Sequence, residues 1–282
     1  MSGPTFGWPM GNKLPVPCGH KYKKLVITLS QVLNDPSDGK AEWFRVTVVG
    51  GGGGGGGGYN AASSYYGKGG GGGEGIVMLL HKDEIQWPKE IIVGVGGTGG
   101  GYPDILTTNG TSTSFGSQIT ALGGNGGQST TSYHSQDGAS GGREAGHTVT
   151  VLGDIIGGAA CQPNILGGHA GQSSFIWSFN TLMASGGGGG CGNAASGFCG
   201  NNSGGKSYGG GGGGGGGASL CGVGGDGATA KNLSAPSGIG QAGAPGYGGG
   251  GGGGGGGSTS SSNPPGFGAK GGDGICIIEW YE

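Results

Sequence analysis

Five uninterrupted runs of glycine, at positions 50–58, 69–73, 186–190, 209–217 and 248–257, constrain this chain more than any other feature. A run of nine or ten residues without side chains has no apolar face to bury, and glycine at this density works against any helix. The ordinary use of such a run is a flexible linker, which accounts for one run better than for five. No G-X-Y period connects them, so a collagen triple helix is excluded.

An ordered run loses about 1–2 kcal/mol of backbone entropy per residue. Only main-chain groups can offset that loss, and buried N–H and C=O groups must be paired. The extended three-fold helix has about 3 residues per turn, a rise of about 3.1 Å and no internal hydrogen bonds. Its donors and acceptors radiate outward, so several bare chains can pack side by side and bond laterally in every direction. Any Cβ inside such a lattice would hold the neighbours apart. The runs are therefore read as a polyglycine II bundle, the longest spanning about 28–31 Å. Composition agrees: 85 of 282 residues are glycine and only 32% are hydrophobic, too few to build a conventional apolar core of this length.

The remaining segments read as short strands. Trp43 to Val49 alternates, with Phe44, Val46 and Val48 on one side and Arg45 and Thr47 on the other, as in a half-buried strand. Ile76 to Leu80 and Ile275 to Trp280 each follow a GG[DE]G tetrapeptide, and a weaker copy surrounds Asp226. Ile91 to Val95, His147 to Leu152 and Phe175 to Phe179 are further strand candidates, with Phe175, Trp177 and Phe179 counted as core. The fold class predicted is mainly β, with short strands flanking a hydrogen-bonded bundle of glycine-rich three-fold helices and no significant α-helix. Two domains are expected: residues 1–42, rich in proline and lysine, as a docking or cap segment, and 43–282 as the glycine-rich domain.

Chain direction adds a layout. The first run leaves a strand at Val49 and the second returns to one at Ile76, so Tyr59 to Lys68 must lie at the end far from the strands. Ser258 to Lys270 falls at the same end, and Cys191 to Tyr208 joins them if the runs alternate in direction.

Several motifs are expected to be decoys. Residues 200–207 match the phosphate-binding pattern GxxxxGK[ST], but nine glycines follow Tyr208 where a helix is required. Gly94 to Gly99 imitates a dinucleotide fingerprint, again with no helix possible after it. His134, His147, Cys161 and His169 fit no zinc spacing, and the acids of the GG[DE]G motifs read as carboxylates bonding nearby backbone N–H groups. No catalytic constellation and no cofactor is expected. A net charge of −2 argues against nucleic acid, and no apolar run reaches the length of a membrane span. No secretory signal pattern opens the chain, which suits assembly in a bacterial cytoplasm. The six scattered cysteines are expected to stay thiols, with a Cys191–Cys199 bridge as the main alternative.

The strand Trp43 to Val49 running into poly-glycine, the segment Ile91 to Gly101, and the ending from Gly271 to Trp280 together resemble the glycine-rich domain of phage tail fibres. The resemblance spans roughly residues 43–282. It implies a polyglycine II sandwich like that of the tip adhesins of T-even-type long tail fibres, whose variable loops bind bacterial outer-membrane proteins or surface glycans. Those adhesins carry a longer attachment domain than the roughly 42 residues before this glycine domain.

The resemblance implies a virion protein at the tail-fibre tip, with receptor loops at residues 59–68, 191–208 and 258–270. Aromatics supply large contact area at low entropy cost, so Tyr59, Tyr65, Tyr66, Phe198, Tyr208 and Phe267 are the expected receptor contacts. The competing role for these rings is to cap the lattice ends or pack on a neighbouring subunit. Trp8 and Tyr22 are expected in fibre attachment, with residues 1–42 meeting other virion proteins and a homo-oligomer possible. The alternative function is a structural virion component such as a capsid decoration or collar protein.

Overall fold

The structure, a computed structural model, describes residues 20–56, 66–67, 70–101, 107–127, 129–130, 173–177, 181–186, 248 and 267–282. Twelve strands occur in it: β1 (Tyr22–Ile27), β2 (Gln31–Leu33), β3 (Trp43–Val49), β4 (Tyr66–Gly67), β5 (Gly75–His81), β6 (Lys89–Ile92), β7 (Thr113–Phe115), β8 (Ile119–Ala121), β9 (Ser129–Thr130), β10 (Ser173–Trp177), β11 (Thr181–Gly186) and β12 (Ile275–Tyr281). Among the described residues the one helical element is a 3-10 turn, Lys82–Glu84. The protein is mainly β, as its sequence predicts.

Two antiparallel sheets face one another. The larger has the order β1-β12-β3-β5-β11-β10 and the smaller β2-β6-β7-β8, while β4 and β9 form a separate pair. The alternation in β3 does what period two requires: Phe44, Val46 and Val48 are fully buried. Opposite them stand Trp280, Ile278 and Cys276 on β12 and Leu80, Met78 and Ile76 on β5. These side chains meet Ile91, Phe115, Ile119 and Ala121 of the smaller sheet in one apolar core. Aromatic packing closes one part of it, with Phe44 edge-on to Trp87 at 5.9 Å and Trp87 edge-on to Phe115 at 6.0 Å between ring centroids. Cys276 lies in this core as a free thiol, and burial pushes its pKa up to about 12. The other five cysteines fall outside the described residues.

On the opposite face of the large sheet, Arg45 and Glu279 are cross-strand partners. The guanidinium donates to Glu279 Oε2 through Nη2 at 2.6 Å and Nε at 2.7 Å, and the Tyr22 hydroxyl donates to Oε1. Such a charge-assisted fork ties β1, β12 and β3 together.

Sequence expectation and structure differ at several places. The strand expected over Ile91 to Val95 covers Lys89–Ile92 instead, because the chain joins the glycine segments from Gly94 onward. The strand expected over Phe175 to Phe179 is Ser173–Trp177; its side chains are not described, and His147 to Leu152 falls outside the described residues. The three-residue strands β7 and β8 gave no usable period. They are joined at Gly116, whose φ of +54° favours glycine and where a Cβ would meet Lys89 Cδ at 2.5 Å. Residues 20–42 are woven into both sheets: β1 pairs with β12, β2 pairs with β6, and Ile27 and Ala41 are buried in the shared core.

Candidate functional site

Beyond Val49 the chain continues as bare glycine, and its hydrogen bonds follow a three-residue rotation. Gly50 and Gly53 donate to Glu74 and Gly71; Gly51 and Gly54 to Thr111 and Thr108; Gly52 and Gly55 to Gly272 and Ala269. Each acceptor series falls by three as the donor rises by three, so these three neighbours run antiparallel to residues 50–55. Acceptance follows the same rule with the opposite sense. Gly124 and Gly127 donate to Gly51 and Gly54, while Gly97 and Gly100 donate to Gly52 and Gly55, so those two neighbours run parallel.

The neighbours also bond to one another. Segment 70–74 joins 122–127 through Gly71 N to Asn125 O, and 122–127 joins 107–111 through Gly110 N to Gly124 O. Segment 107–111 joins 94–101 through Thr111 N to Val95 O, and 94–101 joins 267–274 through Gly271 N to Gly97 O. Residues 50–55 thus lie at the centre of a lattice whose walls are main chain. A methyl group has no room there: a Cβ on Gly53 would stand 1.9 Å from the Asn125 carbonyl oxygen, and one on Gly54 1.9 Å from that of Thr98.

Four of these five neighbours, 94–101, 107–111, 122–127 and 267–274, lie outside the five poly-glycine runs. In 94–101, 107–111 and 122–127 the positions packed against another chain must be bare, whether that chain is the centre or a lateral neighbour, as Gly96 is against the Gly271 oxygen, and side chains elsewhere supply acceptors. Thr111 Oγ1 accepts from Val95 N at 2.7 Å, Thr108 Oγ1 from Thr98 N at 2.8 Å, and Asn109 Oδ1 from Gly126 N at 2.8 Å. The signal in the sequence is glycine at every third position: 94, 97 and 100, matched by 268, 271 and 274, which bond to them in reverse order.

The GG[DE]G acids work at the border between lattice and sheet. Asp273 Oδ1 accepts from Gly96 N at 2.8 Å, and Glu74 Oε2 accepts from Leu122 N at 2.9 Å. Both acceptances come from neighbouring chains rather than from a local turn. Asp226 lies outside the described residues. Burial alone would raise the Asp273 carboxyl, but the Lys270 ammonium at 2.8 Å and the Gly96 N–H outweigh it and hold it below its ordinary value.

A depressed folded pKa means that the carboxylate contributes stability above its unfolded value, about 3.9. That contribution is lost as pH falls through the folded value. Asp273→Asn is therefore expected to lower Tm slightly at neutral pH, since the side chain is half exposed. The difference from the parent should close as both are titrated to about pH 2; a gap of constant size would refute this role.

The lattice has two unlike ends. At one, Gly50, Glu74, Gly94, Leu122 and Gly274 meet the sheets. The other lies near Gly55, Gly100, Thr108, Gly127 and Gly268. Of the expected receptor contacts, Phe267 stands at this far end and is 45% exposed. Tyr66, expected in a loop, belongs to β4, which pairs with β9 just beyond Gly70 and Gly127. Tyr22 is 49% exposed on β1, with the sheets, and its ring lies 5.6 Å from that of Tyr281. Tyr59, Tyr65, Phe198, Tyr208 and Trp8 fall outside the described residues. So do residues 200–207 and the bridge considered between Cys191 and Cys199. In the fingerprint-like Gly94 to Gly99, the Gly96 and Gly97 amides are engaged by Asp273 and Gly52.

Among the described residues, no grouping of His, Cys, Asp and Glu has the arrangement of a metal site. No helix there is long and apolar enough to cross a membrane.

Antiparallel sheets feeding a main-chain lattice define the class: a β-protein in which glycine segments are a structural element in their own right. Comparison with known families agrees, for the profile of the glycine-rich domain matches residues 31–281. The chain belongs to the glycine-rich domain family. A comparison with curated proteins finds no match.

Proposed function

We propose that the protein is a receptor-binding tip adhesin of a phage tail fibre, attaching the virion to a bacterial outer-membrane protein or surface glycan. In this reading the glycine lattice is a polyglycine II bundle that acts as a rigid spacer. The observation that supports it most is the common level of the lattice exits. Gly55 and Gly70, then Gly100 and Thr107, are consecutive crossings of the far end, and Phe267 re-enters there exposed. The stretches linking them are the irregular, aromatic-bearing parts of the sequence, whereas the lattice tolerates almost no change. A fixed frame with freely variable connections is what recognition of changing surface receptors requires.

The sheet end then faces the particle. Residues 1–42, with Trp8 and Tyr22, are the proposed meeting place with other virion proteins, and oligomerisation would act there. The proposed location is the virion, after assembly in the host cytoplasm.

The test is exchange of residues 59–65 and 258–266, the parts of the expected loops outside β4 and the lattice wall 267–274, for those of a related chain with another host, together with Phe267→Ala. Host range and receptor binding should follow the exchanged segments while Tm stays within a few degrees. Unchanged host range would end the adhesin reading. Microscopy of particles carrying a labelled chain supplies a second criterion: label on the head would favour a capsid decoration protein instead.

A further inference from the structure

β1 is an edge strand of the larger sheet, and it is paired on one side, with β12. Lys21 and Glu282 exchange both of their main-chain hydrogen bonds, at 2.7 and 3.0 Å. In an antiparallel ladder such pairs alternate with pairs that exchange none. The register from Tyr22–Tyr281 to Ile27–Cys276 therefore turns the main-chain groups of Lys23, Leu25 and Ile27 toward β12. Those of Tyr22, Lys24 and Val26 turn outward, and among the described residues nothing bonds to them. An edge with a row of free N–H and C=O groups is a template for a further strand.

The side chains of the same three residues lie on the face away from the core. Tyr22 and Val26 are half exposed, and Lys24 is exposed between them. From β1 the chain turns through Leu29, 78% exposed, into β2, an edge strand of the smaller sheet, where Val32 is 67% exposed. Exposed apolar side chains thus gather on the one stretch that edges both sheets, as they do at contact surfaces. The charge of β1 and its approach is positive. Lys23 Nζ lies 3.4 Å from Glu282 Oε2, but among the described residues Lys21 and Lys24 have no carboxylate within ion-pair distance. Glu279, across from Lys24 on β12, is held by Arg45 and the Tyr22 hydroxyl.

We infer that β1 is a docking edge that takes an acidic, extended segment of another protein as a further strand of the larger sheet. A second copy of this chain is the wrong occupant. The antiparallel register that pairs residues 21–27 with themselves sets Lys24 against Lys24, and like charges directly opposite one another destabilise a strand pair. An acid in that place meets an ammonium without a carboxylate of its own. In strand addition the main-chain bonds supply affinity and alternate side chains supply selectivity. Incoming residues opposite Tyr22, Lys24 and Val26 share the face of those side chains. The pattern that fits is apolar-x-acid-x-apolar, with Asp or Glu opposite Lys24. Placing the donor segment in the virion rests on the adhesin reading; the edge, its charge and the pattern do not.

Residue-resolved hydrogen exchange on the whole chain tests this with a synthetic probe, the end-blocked peptide Thr-Val-Thr-Glu-Thr-Val-Thr, and its counterpart with Lys in place of Glu. In the free protein the Tyr22, Lys24 and Val26 amides should exchange fast and those of Lys23, Leu25 and Ile27 slowly. The acidic peptide at about ten times its Kd should slow the first three amides about tenfold, and the basic peptide should bind far more weakly. Lys24→Gln should remove the preference for the acidic peptide. Lys24→Pro deletes an outward N–H that β12 does not use, so it should abolish strand addition with little change in Tm. Should Lys24→Pro not fold, Lys24→Gln decides. Slow exchange at Tyr22, Lys24 and Val26 without peptide would show that the edge is already covered and would overturn the inference. So would a lack of saturable binding, or equal affinity for the two peptides. None of these measurements involves a receptor, so they fail or succeed separately from the host-range test.

Discussion

Gly53→Ala is expected to destabilise the protein by about 3–5 kcal/mol, more than most single methyl additions to a protein. Its Cβ would lie 1.9 Å from the Asn125 carbonyl oxygen, 2.4 Å from the carbonyl carbon and 2.9 Å from the Gly124 oxygen. All three are backbone atoms, so no side chain can rotate out of the way. Relief requires the parallel chain 122–127 to withdraw. That would weaken the bonds from Gly124 to Gly51 and from Gly127 to Gly54, and the groups released are buried where water cannot replace their partners. The lower unfolded-state entropy of alanine recovers only about 0.4–1 kcal/mol. Gly39→Ala is the control: its φ of +81° also disfavours alanine, but nothing lies within 4 Å of the added carbon. It should cost about 1 kcal/mol. Thermal melts of the two variants separate lattice crowding from backbone strain. Gly53→Ala melting beside Gly39→Ala would show that the lattice can expand and that its walls are not close-packed.

Phe44→Ala should cost about 3–5 kcal/mol, the range for deleting a buried aromatic. Phe44 is fully buried, with Trp87 edge-on and Trp280 at 6.2 Å between ring centroids. Removal leaves a cavity between two large rigid rings that cannot close without moving β12 or the segment before β6. The effect should reach the lattice as well, since β3 runs straight into residue 50. Denaturant unfolding with an unchanged m-value is expected for the sheets and lattice melting as one unit. A lower m-value, with lattice amides still protected, would mean that the two parts unfold separately. A loss below about 1.5 kcal/mol would mean that the core refills the space.

The strands that could be read from the sequence are those with a long alternating pattern. β3 begins and ends where the period says, β5 extends one residue beyond expectation at each end, and β12 starts at the expected Ile275 and runs one residue further, to Tyr281. Trp43 to Val49 supplies both alternation and β-branched residues, so local preference and burial agree. β7 and β8 have three residues each, too short for a period, and rest on tertiary pairing with β6. The far-end position of Phe267 was legible from chain direction alone. The strand pairing at Tyr66 was not, because Tyr66 and Gly67 carry no pattern and depend on Ser129 and Thr130 from a remote part of the chain. Nor was the link from Arg45 to Glu279, which arises only once β12 is inserted beside β3.

From its sequence alone this chain is bound to be mainly β and to pair its glycine segments through the backbone, since side-chain-free runs have no other means of holding together. Which segment neighbours which was decided only in three dimensions. A glycine amide bonds to any glycine carbonyl equally well, so bare runs carry no address. The addresses come from elements outside the runs: the registers of β3, β5 and β12, and the oxygens of Thr108, Thr111, Asn109, Glu74 and Asp273, each of which accepts from one particular neighbouring chain.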